Sequence, residues 1–165
     1  MQSIQFGHRV ATLAAGLVGT LLVSMGGHTA LGFDPAALDQ LRTTKTVPAG
    51  ADLSGADLHG MDLRGADLSM ADMAGTNLSD TNLQGANLTG VNLNGANLIG
   101  ADLSNANLRT ASLLGSLLQN ANLSRANPDG ARLDAANLNG ANVAGTDLTA
   151  ASLTDTIMPD GGQHP

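Results

Sequence analysis

Five carboxylates fall at five-residue steps early in the long repetitive part of this chain: Asp52, Asp57, Asp62, Asp67 and Asp72. Oxygen donors in that number are what a hard cation such as calcium takes. The chemistry depends on whether the backbone aims them at one point. Two histidines, His59 and His164, lie beyond the first 32 residues and supply the usual general-base chemistry. Such a base needs a cleft and a partner, and His59 has no Ser or Asp at an intelligible distance along the chain. A third set is apolar: Ile99, Leu114 and Leu117 occupy positions that are mostly polar, and exposed apolar clusters mark contact surfaces. Cysteine is absent, which excludes disulfides, zinc-thiolate sites, thiol nucleophiles and lipidated cysteines.

What positions these residues is a repeat. From Ala51 to Asp160 the chain divides into fives with no insertion or deletion, giving 22 pentads centred on Leu53, Leu58, Leu63 and onward to Met158. Leu fills the centre 18 times, the exceptions being Met73, Pro128, Val143 and Met158. Ala stands two residues earlier in 15 pentads, Asp or Asn stands between in 17, and Gly closes 12. The consensus is Ala-(Asp/Asn)-Leu-x-Gly. Aromatic residues are limited to Phe6 and Phe33, and every acid is Asp. A core without large rings has to be filled by something small and regular, and abundant Asn, Asp and Gly point to turns.

A period of five excludes the two ordinary elements. On an α-helix each step of five advances about 140° past a full turn, so the leucines would spiral over every face. In a straight strand an odd repeat would flip each Leu to the opposite side. The pattern works if the chain turns a corner every five residues, with the Ala and Leu positions inward and the other three outward. Four such sides make a coil of 20 residues, so 22 pentads predict about five and a half coils and a rod about 26 Å long. The expected fold is an all-β solenoid of stacked repeats.

Stacking by twenties sorts the candidates. Successive aspartates of the first coil leave from different sides, and only Asp52 and Asp72 stack, so the reading is a solvated acidic end with no metal site. Leu117 falls near Ile99 on one side, with Leu114 around the adjoining corner; these three form the expected partner patch. Asn87, Asn107 and Asn127 line one column, Asn122 and Asn142 another, and such ladders hydrogen-bond between coils. Pro128 replaces a central Leu and removes a donor, which predicts a local defect in the ladder. No catalytic constellation and no cofactor motif emerges, so the expected protein is not an enzyme.

The runs "ADLSGADLHGMDLRGADL" and "TNLQGANLTGVNLNGANLIGADL" resemble the bacterial pentapeptide-repeat proteins. The resemblance covers about two-thirds of the chain and implies a right-handed quadrilateral β-helix, in agreement with the spacing. The preceding "DPAALDQLRTTKTVPAG" resembles the leader that many members carry. In many of those a cysteine pair flanks the proline; Val47 and small residues replace it here, so any redox role is lost. Certain members resemble duplex DNA and protect type II topoisomerases from quinolones. That alternative function is disfavoured. B-DNA carries one charge per about 1.7 Å, so a 26 Å rod would need about 15, whereas the repeats hold twelve Asp against four Arg, a net −8 concentrated toward the ends. The mimics also tend to carry Phe at central positions and a C-terminal dimerisation module, both missing here.

Outside the repeats, Met1 to Arg9 carries one firm positive charge, and the uncharged apolar stretch Val10 to Met25 follows. That is the layout of an export signal over residues 1–32, with small-residue cleavage sites after Gly26, Ala30 or Gly32. An uncleaved anchor is the rival, since no charge appears between Val10 and Phe33. Either way the remainder is placed outside the cytoplasm, periplasmic or secreted. Loss of residues 1–32 removes Arg9 and takes the net charge from −7 to −8, which disfavours nucleic acid and anionic membrane surfaces as partners. Residues 33–50 predict a capping helix and linker: Asp34 as N-cap, Pro35 in the first turn, Phe33 stapled to Leu38, and an end near Thr43-Thr44. Residues 51–160 form the β-helix, and 161–165 a disordered tail. The functional expectation is a structural or protein-binding rod with an unknown protein partner, monomeric or weakly dimeric end to end.

Overall fold

The computed structural model describes residues 32–165; all but the last residue of the predicted export signal lie outside them. One helix precedes the repeats. α1 spans Pro35–Thr44. The Asp34 side chain accepts the Ala36 N–H at 2.9 Å, satisfying an N-terminal donor that the helix cannot pair itself. At the other end Lys45, with φ 57°, turns the chain out and donates its N–H to Leu41 O. Ala37, Leu38 and Leu41 are buried and belong to the same apolar cluster as the repeat leucines, with Phe33 and Val47 packed against it.

The repeats then stack in the expected register. Parallel bridges join residues twenty apart, Asp52 to Asp72, Asp57 to Asn77, Asp62 to Asn82, Asp67 to Asn87, and so on up the molecule. Four sides therefore alternate, named here by their first central residues: the Leu53, Leu58, Leu63 and Leu68 sides. Central leucines from Leu53 to Leu138 are buried, as are the Ala positions beside them apart from the half-buried Ala51 and Met61. Where Thr or Ser replaces Ala, the hydroxyl is satisfied on a carbonyl, as in Thr76 to Met73 O at 2.7 Å and Thr81 to Leu58 O at 2.9 Å.

All five N–H groups of a pentad have a destination, which is the accounting a buried backbone requires. Leu63 and Gly65 donate up the rod to Asn82 O and Gln84 O, and Asn82 donates down to Met61 O. Ala66 donates to Leu63 O and closes the corner. The fifth, the outward N–H of Arg64, is accepted by Asp62 Oδ1 at 3.2 Å. This last bond explains the Asp/Asn position: the side chain mimics a turn by capping the N–H two residues on. It recurs from Ser54 on Asp52 to Thr149 on Asp147.

Corners from Gly55 to Gly145 use a left-handed residue at the fifth position. Gly65 has φ 64° and Gly85 φ 66°, which glycine adopts without a Cβ penalty. Asp80, Asn120 and Met70 take the same conformation with side chains, and each folds its side chain over the corner glycine of the next coil, Gly100, Gly140 and Gly90 respectively. A Cβ on Gly100 or Gly140 would meet a side-chain oxygen at 2.5 Å, so on the Leu58 side bulky corners alternate with glycine from Gly60 to Gly140.

Two departures occur late in the chain. At Pro128 the ladder does break: the Asn127–Asp147 bridge is missing from the series, and Gly130 donates to Ala150 O, one residue beyond the register kept elsewhere. The segment 161–165, expected as a disordered tail, instead turns back. Ile157 pairs antiparallel with Gln163, Met158 N–H bonds Gly162 O at 2.7 Å, and His164 N–H bonds Thr156 O at 2.8 Å. The Gly161-Gly162 pair supplies the reversal, Gly161 with φ 85°, and the open edge of the last coil supplies the partner strand.

Candidate interaction face

The Leu58 side brings most of the unusual residues together. Its first outward column, one residue before each centre, reads Asp57, Asn77, Asn97, Leu117, Asn137, Ile157; the second, one residue after, reads His59, Ser79, Ile99, Gln119, Asn139, Pro159. Leu117 bridges both Asn97 and Asn137. Ile99 is 36% and Leu117 39% exposed. Leu114 is half-buried on the neighbouring Leu53 side, across the Gly115 corner from Leu117, as the spacing predicts. Sequence reasoning missed Met70, at 60% the most exposed large apolar residue among the described residues; an apolar residue at a corner position was the available signal.

Leu117 also disturbs hydrogen bonding. Outward turn N–H groups rely on the Asp/Asn acceptor two residues earlier. Where Ser112 and Ser152 remove it, the coil below compensates: Leu114 N–H reaches Asn94 Oδ1 at 3.0 Å, and Thr154 N–H reaches Asp134 Oδ1 at 3.2 Å. At Leu117 nothing compensates: among the described residues Gln119 N–H has no acceptor, and Gln119 Oε1 is buried without a partner. The pentad therefore forgoes a bond worth about 1 kcal/mol and exposes a leucine.

At the start of the same side the structure corrects the reading of His59. His59 Nδ1 lies 2.8 Å from Ser79 O and 2.9 Å from Ser79 Oγ, and 4.0 Å from Asp80 Oδ2. Serine and aspartate are beside it, one coil on, and counting by twenty would have found Ser79. The geometry is nevertheless not that of a relay. A carbonyl only accepts, so Nδ1 carries a proton and spends it on Ser79, while the Ser79 hydroxyl is bonded to Asn77 Oδ1 at 2.8 Å. One ring nitrogen faces both neighbours, so the ring does not stand between a nucleophile and an acid.

The acidic first coil is spent on structure. Asp57, Asp67 and Asp72 each accept a turn N–H and the amide of the Asn stacked above, at 3.0, 3.0 and 2.9 Å for Asn77, Asn87 and Asn92. Asp62 is clasped by Arg64 through Nε at 2.9 Å and Nη2 at 2.7 Å, with Lys45 Nζ at 3.4 Å; the Arg64 hydrogen bonds hold its carboxyl far below the usual range. Hydrogen bonds from Ser69 lower Asp67, the Ser152 hydroxyl lowers Asp134, and Thr149 lowers Asp147. Among the described residues no three His, Asp or Glu side chains gather as a cation site would require. The amide ladders are realised in part: Asn142 bonds Asn122, and Asn122 bonds Asp102, both at 3.1 Å, whereas the oxygens of Asn107 and Asn127 serve the N–H groups of Arg109 and Asp129.

A filled prism with polar columns and a few apolar interruptions defines a β-solenoid. Residues 49–80, 76–115 and 116–155 match the family model described as "Pentapeptide repeats (8 copies)", and the chain belongs to that family, whose members wind as right-handed quadrilateral β-helices. Among solved structures it is similar to the pentapeptide repeat protein Rfr23 of the cyanobacterium Cyanothece 51142, with 30% identity over 74% of this chain and 97% of that one and a TM-score of 0.46. It is similar also to alr5209 of Nostoc Pcc 7120, with 35% identity over 72% and 93% and a TM-score of 0.35. QnrB1, a plasmid-mediated fluoroquinolone resistance protein, matches at 23% identity over 66% and 68% with a TM-score of 0.30. No curated protein matches. No helix among the described residues is long and apolar enough to cross a membrane.

Proposed function

We propose that this chain is an exported, non-enzymatic rod of five and a half coils that serves as a structural or protein-binding scaffold, periplasmic or secreted. One observation carries the protein-binding part. Leu117, beside Ile99, interrupts a column of hydrogen-bonding residues, forgoes the acceptor for Gln119 N–H, and stays exposed. A residue that gives up a hydrogen bond and still leaves 39% of its surface exposed is accounted for by a partner that covers it. Export is supported by the basic start and apolar stretch of residues 1–25.

Against duplex mimicry, the outward residues of the Leu58 side from Asn97 to Gly140 carry no charge, while a phosphate mimic needs charge at each level. The test is affinity capture from envelope extracts with the native chain and with Leu117→Asn. A partner retained by the first and lost by the second is expected; identical recovery from both would remove this face from the function. Fractionation with N-terminal sequencing checks export, and a cytoplasmic chain with an intact Met1 would sink that part.

A further inference from the structure

We infer that the occupant of this face is a second copy of the chain, packed side against side, with Leu117 and Ile99 of one protomer on the same residues of the other. The inference rests on the reading of the Leu58 side as a contact surface and adds the identity of the partner. It is argued from charge. The chain is strongly acidic, with 14 Asp against 7 Lys and Arg, so copies repel one another on approach. A two-fold contact is self-complementary and sets each residue near its axis against its own counterpart; a charged residue there would meet the same charge.

Only one side avoids this at the middle levels of the rod. On the Leu58 side the outward residues there are Asn97, Ile99, Leu117, Gln119, Asn137 and Asn139, all uncharged. At the same heights the Leu53 side carries Arg132 and Asp134, the Leu63 side Asp102 and Arg125, and the Leu68 side Arg109 and Asp129. The apolar pair and the orphan Gln119 N–H thus lie on the one side where two copies meet without like charges. An amide flanking the pair also suits a symmetric contact, since Asn and Gln each donate and accept.

The available area sets the strength. Three stacked levels, about 14 Å tall, and a side of five residues, about 16 Å wide, give roughly 450 Å² from both partners. Stable interfaces bury 1,200 Å² or more, so the dimer is a weak one, formed at protein concentrations on the order of 100 µM or higher.

The absence of cysteine makes the test direct, because one introduced thiol can be bridged only by another chain. In the full chain, Asn137→Cys reports on the Leu58 side, Asn107→Cys on the opposite Leu68 side, and Ala144→Cys on the C-terminal end. Under mild oxidation the Asn137→Cys chain is expected to form disulfide-linked dimer several-fold faster than the other two, and adding Leu117→Asn should cancel that excess. Equal rates for Asn137→Cys and Asn107→Cys, or fastest linkage through Ala144→Cys, would overturn the proposal. Sedimentation equilibrium of the unsubstituted chain, whose mass should rise with concentration and fall back for Leu117→Asn, gives a second readout free of folding changes at the thiol sites. A chain monomeric throughout whose envelope partner is still lost on Leu117→Asn would refute the second copy and keep the contact face; loss of neither would remove both.

Discussion

The two ends of the rod are built from the same pentads yet differ in how they meet solvent. At the N-terminal end α1 lays Ala37, Leu38 and Leu41 over the first coil, and Leu53, Leu58, Leu63 and Leu68 are fully buried. The linker adds one more paired segment, Val47 to Asp67 and Asp67 to Lys45. At the C-terminal end Val143, Leu148, Leu153 and Met158 are only half-buried. Val143, Leu148 and Leu153 also present N–H groups with no acceptor among the described residues; only the Leu58 side is closed, by the returning segment after Gly161. A solenoid's stability is a sum of repeat and neighbour terms, so the terminal coil with one neighbour is the weaker. The repeat makes the walls, and the ends decide where unfolding starts.

The largest effect expected comes from α1. Leu41→Ala should cost about 2–5 kcal/mol, the range for a fully buried leucine, read by equilibrium denaturant unfolding. Leu148→Ala at the open end should cost about 1 kcal/mol, because part of its surface already meets water. Equal costs would break the comparison between the ends.

Removal of residues 161–165 should be next. It deletes the bonds from Met158 to Gly162 and from His164 to Thr156, each worth about 1 kcal/mol. Amide exchange should quicken over 138–158 and stay unchanged over 53–73; uniform quickening would mean that the rod unfolds as one unit and not from its C-terminal end. Pro128→Leu should stabilise by about 0.5–1 kcal/mol, since it restores a donor and a core side chain beside the displaced Leu148 corner. A lower melting temperature for Pro128→Leu would show that the displaced register at Ala150 has another cause.

The smallest effect concerns pH. The carboxyls of Asp67, Asp134 and Asp147 are lowered by hydrogen bonds from Ser69, Ser152 and Thr149. A folded-state pKa below the unfolded value, about 3.9, contributes stability above that value and loses it as pH falls through the folded one. Melting temperature should therefore stay level from pH 8 to 5 and decline below about 4. Asp147→Asn keeps the turn acceptor and should flatten part of that decline; a decline that starts near pH 6 would point to other groups.

Much of the fold was legible because the determinant is local and repeated. Leu at each centre, Ala where space is short and Gly at the corner leave the chain one way to bury its apolar residues. The cap was readable from Asp34, Pro35 and Leu38 for similar reasons, and Pro128 announced its defect through the donor it lacks. The exposed apolar pair was half legible: counting by twenty placed Leu117 near Ile99, but no count could show that Gln119 would be left without an acceptor, since Leu114 in a comparable situation is rescued by Asn94 from the coil below.

What the sequence alone determined is the wall: which side chains face inward, and the length of a turn, both consequences of a steric rule applied at every fifth residue. The tertiary structure decided what depends on neighbours twenty residues away or at the ends. That includes the fold-back of 161–165 onto an unpaired edge, the placement of His59 against Ser79 and Asp80, the use of each Asp and Asn oxygen, and the single column where a leucine stands without compensation. Hydrogen bonds between coils are satisfied collectively, so their gaps become visible once all the coils are stacked.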